Sequence, residues 1–470
     1  MTMFLDRIIS QTRIDLEQRK LIVPFEEQQR LAHVQGTPRD LLQTLKVQSR
    51  IGLIAEVKRA SPSKGFFAVD IDPIELAHIY AANGATAISV LTEPHFFLGS
   101  FDDLAAIKQA VHVPVLCKDF IIDEYQVYEA RAWGADAILL ICAILDQIQL
   151  QRLLKVAQYL NMHCLVEVHT SEEVQRAIAA GASIIGINCR NLKTFQIHPD
   201  LVRELRPLIP KDTVVVAESG IHASADARCL ARYDVQAMLV GESLVTSQDI
   251  PAQIRTLLKG ANENVQVKIC GLSTTDQILT ARDAGIDLLG LMFYEQSSRY
   301  IQPQAAKEIL KTYEDGQISP DTVGIFVNKE ADYINDVVEQ VGLHLVQLHG
   351  DESPEFCTCI HRPVIKALRL NEKSDPNLTE EYNHTTWRIL LDTPTDRWGG
   401  TGETHDWVSA RSIAQQTPIF LAGGLTPENV GEAIQHVHPW GVDVSSGVET
   451  NGKKDVKKIQ AFVENARTTR

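Results

Sequence analysis

The sequence predicts an α/β protein built as two consecutive (β/α)8 TIM barrels with an N-terminal helical extension. Three observations carry the prediction. After Ile51, short apolar runs rich in β-branched residues alternate with amphipathic stretches of helical period, as parallel strands joined by crossover helices do. The runs fall into two sets of eight, the second starting at Val265, and eight such units in roughly 200 residues fit one barrel. The chain has 470 residues, more than one ordinary domain of about 150 residues holds. An open doubly wound sheet is the competing choice for each half, and two consecutive sets of eight weaken it.

Residues 1 to 50 precede the first strand and read as helical, with Thr37-Pro38 as an N-cap followed by proline at the first helical position. The first set of strands reads "LIAEVK", "TAISVLT", "VPVLCKDF", "DAILLIC", "HCLVEV", "IIGIN", "TVVVAES" and "QAMLVG". Stretches such as "DPIELAHIYAANGA" and "SEEVQRAIAAGA" fit between them as helices that close on glycine. The second set reads "VQVKICG", "LLGLMF", "TVGIFV", "LVQLHG", "PVIKAL", "RILLDT", "PIFLAGGL" and "GVDVSSGV". Its fifth connection, "RLNEKSDPNLTEEYNHTTW", is polar, contains proline, and predicts an irregular segment. The domains are expected at 1–260, with the extension over about 1–50, and at 261–470; the join "LLKGANENVQ" lacks a Gly/Ser or Pro tract.

Composition narrows the partners. The formal net charge is −15 and the densest basic cluster is "KKDVKK", which reads as a solvated helix face, so no nucleic-acid partner is expected. No apolar run approaches the 18 or so residues of a membrane span, and "MTMFLDRIIS" lacks the pattern of a signal peptide. Eight scattered cysteines, mostly inside apolar runs, predict free thiols and a reducing cytoplasm. Cys357-x-Cys359 has the wrong spacing for zinc, and neither GxGxxG nor a Walker motif occurs, so metal-free and cofactor-free chemistry is expected. A monomer is expected, because a joined pair already buries an interface.

In such barrels catalytic groups come from the C-terminal ends of strands, and phosphate sites from the loops after strands seven and eight. The first half ends those strands "AESGI" and "LVGESL"; the second ends them "LAGGLTPEN" and "VSSGVE". Small residues at both places in both halves let backbone N–H groups approach an anion, so each half reads as a phosphate binder. Strand alternation puts Ile54, Glu56 and Lys58 on one face of the first strand. Lys118, Glu167, Asn188 and Ser219 end later strands of that set, and two lysines with two glutamates at one mouth suit acid–base work as well as a salt bridge. The second half is sparser: Cys270 ends its first strand, Arg299 follows the second, His349 follows the fourth and Asp392 ends the sixth. Cys270 opposite an aspartate is a candidate thiolate base, and His349 a polar gate or a structural hydrogen bonder.

With "EVKRASPSKG", "LTEPHFFLGS", "CKDFIID", "VEVH", "GINCRNL" and "AESGI", the first half resembles indole-3-glycerol-phosphate synthase. The second resembles phosphoribosylanthranilate isomerase through "KICGL", "FYEQSSRYI", "VQLHG", "LLDT", "GGTGETHDW", "LAGGLTPENV" and "VDVSSGVE". In this order the chain resembles the bifunctional fusion of the two found in bacterial tryptophan biosynthesis. The resemblance implies phosphorylated small-molecule substrates and an Amadori rearrangement, followed by ring closure with loss of CO2 and water. Cys270 would be the base and Asp392 the acid of the isomerase; Arg299 would hold the anthranilate carboxylate, and Gly423, Gly424, Ser446 and Gly447 the phosphate. Lys118 would be the acid of the synthase and Glu167 its other main proton-transfer group; Glu56 and Asn188 would orient hydroxyls and Lys58 neutralise charge, with the division between the two lysines left open. Ser61, Gly220 and Gly241 would serve that phosphate and Phe120 the anthranilate ring, with Ser219 counted among the catalytic groups and Arg190 and His349 among the substrate contacts. Three positions depart from the family pattern: Cys189, Glu242 and His405. Barrels acting on other sugar phosphates, or a silent phosphosugar-binding pair, are the rival readings.

Overall fold

The computed structural model describes residues 4–47, 50–61, 65–66, 72–192, 194–262, 265–311, 320–369, 376–382, 384–392 and 407–469. The chain divides into two compact units, Met1–Glu263 and Asn264–Arg470.

The first unit is a closed barrel of eight parallel strands: β1 (Gly52–Val57), β2 (Ala87–Leu91), β3 (Val115–Lys118), β4 (Ala137–Ile141), β5 (His163–Val168), β6 (Ile184–Asn188), β7 (Val214–Glu218) and β8 (Ala237–Val240). Closure runs through β1 and β8, from Gly52 opposite Ala237 to Ala55 opposite Val240. The two-residue period sorts the side chains. Ile54, Leu116, Leu139, Leu165, Val216 and Leu239 fill the interior, while Ala55, Val57, Val90, Val166 and Val215 pack against the helical shell. Local signals set the crossover helices. Asp72 accepts the Ile74 and Glu75 N–H groups ahead of Pro73–Ala82. Gly181, at φ 85°, ends Ser171–Ala180 in the left-handed conformation.

The extension forms three helices, α1 (Phe4–Ile22), α2 (Phe25–His33) and α3 (Leu41–Lys46). The expected start at Thr37-Pro38 is corrected. Asp40 is the N-cap of α3 and accepts from Gln43 N–H at 2.8 Å. The preceding residues are pulled away from helical geometry because Arg39 N–H donates to Asp136 and its guanidinium to the Val113 carbonyl, at 2.7 and 2.8 Å. Leu41 and Leu45 are fully buried with Ile184, Val214 and Ala237, the first residues of three strands, so α3 closes the barrel end opposite the mouth. α1 is held by Arg19–Glu129 (2.8 Å), Lys20–Asp123 (3.0 Å) and Asp15–His95 (2.9 Å).

The second unit is also a closed parallel barrel: β9 (Gln266–Cys270), β10 (Leu288–Met292), β11 (Asp321–Phe326), β12 (Leu345–Leu348), β13 (Val364–Arg369), β14 (Arg388–Asp392), β15 (Ile419–Leu421) and β16 (Gly441–Val444). Closure pairs Gln266 with Gly441. Val323, Leu345, Ile365, Leu390 and Phe420 fill its interior, with Trp387 and Trp440 packed against them. The described part of the irregular fifth connection is a 3-10 helix, Pro376–Tyr382.

Candidate active sites

At the C-terminal ends of β1 to β8 lies a cavity of about 160 Å³. Glu56, Lys58, Lys118, Phe120, Glu167, Asn188, Arg190, Ser219, Gly220 and Gly241 all line it, and α1 adds Phe4, Leu5 and Ile8. Ser61 lies in the short strand Ala60–Ser61, and its side chain falls outside the described residues. Alternation delivers the charged groups: Glu56 shares the face of Ile54, Lys118 that of Leu116 and Glu167 that of Leu165. Glu218, which the sequence analysis passed over, follows from the same rule, since Val214 and Val216 already point inward.

Lys118 Nζ stands 3.4 Å from Glu56 Oε2 and 3.2 Å from Glu218 Oε2, and Lys58 Nζ is 2.6 Å from Glu56 Oε1. Burial works to raise the Glu56 carboxyl, yet Lys58 and Lys118 outweigh it and hold it at about 2. Burial also opposes charge on Lys118, and the carboxylates of Glu218, Glu56 and Glu167 overcome it, so the ammonium is held well above its ordinary value. Glu218 goes the other way: burial, reinforced by Glu167 and Glu56, pushes it up to about 7 against the pull of Lys118. Among the described residues, Oε1 of Glu218 is buried without a hydrogen-bond partner, and Oε1 of Glu167 makes no hydrogen bond but lies 3.5 Å from His169 Nε2.

Two of the departures are now placed. Cys189 is buried in the shell cluster, away from the cavity. Glu242 does line the cavity, and Arg190 Nη2 lies 3.5 Å from its Oε2, which offsets the acid. His405 falls outside the described residues.

The second mouth encloses about 80 Å³ and is lined by Cys270, Arg299, His349, Asp392, Gly423, Gly424, Ser446 and Gly447. Arg299 grips Glu449 in a fork, at 2.7 and 2.8 Å, and Lys454 Nζ reaches the same carboxylate at 2.9 Å. Burial works against that charge, but the hydrogen bonds from Arg299 and Lys454 win and hold Glu449 at about 2. Two cations around one anion leave a single positive charge in excess. Cys270 Sγ lies 3.0 Å from Asp443 Oδ1 and 2.6 Å from Lys268 Nζ, and burial, with Asp443 adding to it, pushes the thiol up to about 12. Sequence reasoning also missed Lys268, Asp443, Gln347 and Glu449. The signal for Lys268 was the inverted strand "QVKIC", in which Val267 and Ile269 face the shell and the polar residues face inward.

Both mouths carry the same anion cradle. After β7, Ser219 and Gly220 have φ of 67° and 77°; after β15, Gly423 and Gly424 have 78° and 64°. Positive φ at both positions turns each loop tightly, and the bare glycine backbone leaves a shallow nest where N–H groups can approach an anion. A Cβ at Gly447 would strike the Leu425 carbonyl oxygen beside the second nest, so only glycine lets these two loops meet. Among the described residues no cluster is placed to hold a metal, and no helix is long and apolar enough to cross a membrane.

Two TIM barrels, each with ionisable groups and an anion nest at its C-terminal mouth, define a tandem (β/α)8-barrel enzyme. The family model for indole-3-glycerol phosphate synthase matches residues 5–257, and that for N-(5′-phosphoribosyl)anthranilate isomerase matches residues 267–465. The tryptophan biosynthesis protein TrpCF of Yersinia pestis is 36% identical, over 98% of this chain and 93% of its own. The multifunctional tryptophan biosynthesis protein of Phycomyces blakesleeanus is 38% identical over 99% of this chain, which spans 69% of that protein. Its Schizosaccharomyces pombe counterpart is 40% identical over 88% of this chain, which spans 59% of it. The chain belongs to the family that fuses indole-3-glycerol phosphate synthase to phosphoribosylanthranilate isomerase for tryptophan biosynthesis.

Proposed function

We propose that the second unit isomerises N-(5-phosphoribosyl)anthranilate to 1-(2-carboxyphenylamino)-1-deoxyribulose 5-phosphate, and that the first unit converts this aminoketone to indole-3-glycerol phosphate. The observation that carries this is the convergence of acid, base and anion cradle on one cavity in each barrel.

In the isomerase, Asp392 protonates the ribose ring oxygen and the ring opens to a protonated Schiff base. Cys270 then takes the C2′ proton, and the electron pair enters the C1′=C2′ bond. The enolamine tautomerises to the aminoketone. The phosphate sits in the Gly423–Gly424 nest against Ser446 and Gly447, which line the same cavity. Arg299 faces the anthranilate carboxylate while Glu449 keeps it extended, and the one excess positive charge suits one carboxylate. His349 borders the same cavity and braces Asp392, its Nε2 3.1 Å from Oδ2.

In the synthase, the ring carbon that bears the carboxylate attacks the C2′ carbonyl. Lys118, kept charged by its carboxylates, polarises that carbonyl and protonates the alkoxide as it forms. CO2 then leaves and the ring regains its electrons. Glu218, at about 7, gives a proton to the departing hydroxyl, and Glu167 takes the C1′ proton. Lys58 compensates negative charge, Glu56 and Asn188 orient the ribulose hydroxyls, and Phe120 packs on the anthranilate ring. The Ser219–Gly220 nest holds the phosphate, with Gly241, Arg190 and Ser61 beside it.

Each cavity is lined from its own unit, which supports a monomer as the working form; eight free thiols support a reducing cytoplasm. Supplying N-(5-phosphoribosyl)anthranilate to the full chain should yield indole-3-glycerol phosphate by chromatography. A substrate returned unchanged would overturn the proposal.

A further inference from the structure

Three polar residues face the interior of β9 in succession, and the middle one, Lys268, has no part in the reaction as described above. Its side chain is fully buried. Nζ donates to Cys270 Sγ at 2.6 Å and to Gln347 Oε1 at 2.7 Å, and lies 3.1 Å from Asp443 Oδ2. A lysine only donates, so the directions of the neighbouring bonds follow. Gln347 turns its oxygen to Lys268 and its NH2 to His349 Nδ1 at 2.9 Å, and His349 Nε2–H then donates to Asp392 Oδ2 at 3.1 Å. One ammonium therefore fixes the surroundings of both the base and the acid. An ammonium buried this deeply is tolerated only where its partners hold it, which packing alone does not explain.

The charge inventory of the trio is as telling. Lys268 and Asp443 form a compensated pair, and the thiol between them donates to Asp443 Oδ1 at 3.0 Å. A free thiolate here would be a second anion in a buried site. Gly290 makes room for the sulfur, since a Cβ there would stand 2.7 Å from it.

We propose that Cys270 works as a relay, its Sγ taking the C2′ proton of the substrate while its own thiol proton passes to Asp443 Oδ1, with Lys268 as the positioning residue that holds thiol and carboxylate together. The proposal rests on Cys270 being the isomerase base. In the step, the C2′–H and S–H bonds break, new S–H and O–H bonds form, and the C2′ electron pair becomes the C1′=C2′ bond that neutralises the iminium. Tautomerisation reverses the relay: Cys270 protonates C1′, Asp443 returns its proton to sulfur, and the O2′ proton goes to Asp392. No net charge is created at the sulfur at any stage. Among the described residues, the other charged or titratable groups at this mouth include Arg299 and Lys454 from the neighbouring loops, with Glu449 between them, and His349 and Asp392 lining the same cavity.

The test combines isomerase kinetics with iodoacetamide labelling of Cys270, followed by mass spectrometry against pH, in full-length chains carrying Cys359→Ser to remove the exposed thiol. In Asp443→Asn, kcat should fall about 100-fold with KM little changed, and the residual rate should climb with pH along the labelling curve, because a thiolate must now act alone. Asp443→Glu should recover part of the loss. In Lys268→Met, labelling and kcat should both drop at least about tenfold; Lys268→Gln removes the same charge should the methionine chain fail to fold. Wild-type kcat and an unchanged pH profile in Asp443→Asn, or wild-type labelling and kcat in the Lys268 variants, would overturn the relay. Isomerisation by Cys270→Ala would instead remove the thiol from the reaction and sink the underlying reading. Synthase activity of the same chains reports that the first unit is intact.

Discussion

Burial opposes charge on Lys118, Glu218 and Cys270 alike, and their neighbours decide which of them keeps it. Lys118 stays charged because three carboxylates outweigh desolvation, whereas Glu218 and Cys270 are driven toward their neutral forms. Cys270→Ala should lower isomerisation by about 10²- to 10⁴-fold and leave conversion of supplied aminoketone intact, the loss expected for one proton-transfer group. With Glu218 as the proposed acid, its protonated form is the active one. Synthase kcat should fall as pH rises through about 7, and the slower Glu218→Gln chain should lack that limb. A limb that persists in the variant would assign it to another group. Glu449→Gln leaves Arg299 and Lys454 without their shared anion, and should raise KM for the substrate several-fold as the fork loses its orientation. A lowered KM would show that Glu449 competes for the fork instead of aiming it.

At the scale of elements, the extension serves both ends of the first barrel. α3 closes the bottom with Leu41 and Leu45, and α1 brings Phe4, Leu5 and Ile8 to the mouth. Leu45 is wholly buried, so Leu45→Ala should destabilise the first unit by about 2–5 kcal/mol in denaturant titration without changing isomerase kinetics. A buried carboxyl at the Arg19 contact of α1 also makes stability pH-dependent. Burial lifts Glu129, the partner of Arg19, to about 7. The folded form then holds a proton that the unfolded chain gives up near the ordinary carboxylate value. This contribution is full at acid pH and is lost as pH rises through about 7. Glu129→Gln should flatten the fall in stability of the first unit between about pH 5 and 8; an unchanged slope would locate it elsewhere.

Across the molecule, all sixteen barrel strands were legible as apolar runs, because strands buried on both faces carry the strongest signal a sequence offers. The start of α3 was not, since Asp40 competes with Thr37-Pro38 and the decision rests on Arg39 reaching Asp136, 97 residues away. The predicted site residues line the two mouths, Ser61 lying outside what is described, because they sit at strand ends or on the loops just beyond them. What escaped were partners seen only in three dimensions. Glu218 hid in a motif read as a phosphate loop, and Asp443 stands 173 residues along the chain from Cys270. The sequence grouped the lysines and glutamates at one mouth, but which carboxylate meets which ammonium is a property of the closed sheet.

On the proposed function, the two barrels perform successive steps, each with its own groups. The most direct measurement is product chromatography of the Lys118→Ala chain supplied with N-(5-phosphoribosyl)anthranilate. 1-(2-Carboxyphenylamino)-1-deoxyribulose 5-phosphate should accumulate at the wild-type isomerase rate, with indole-3-glycerol phosphate down by about 10²- to 10⁴-fold. Indole-3-glycerol phosphate formed at the wild-type rate, or an isomerase step lost together with the synthase, would contradict it.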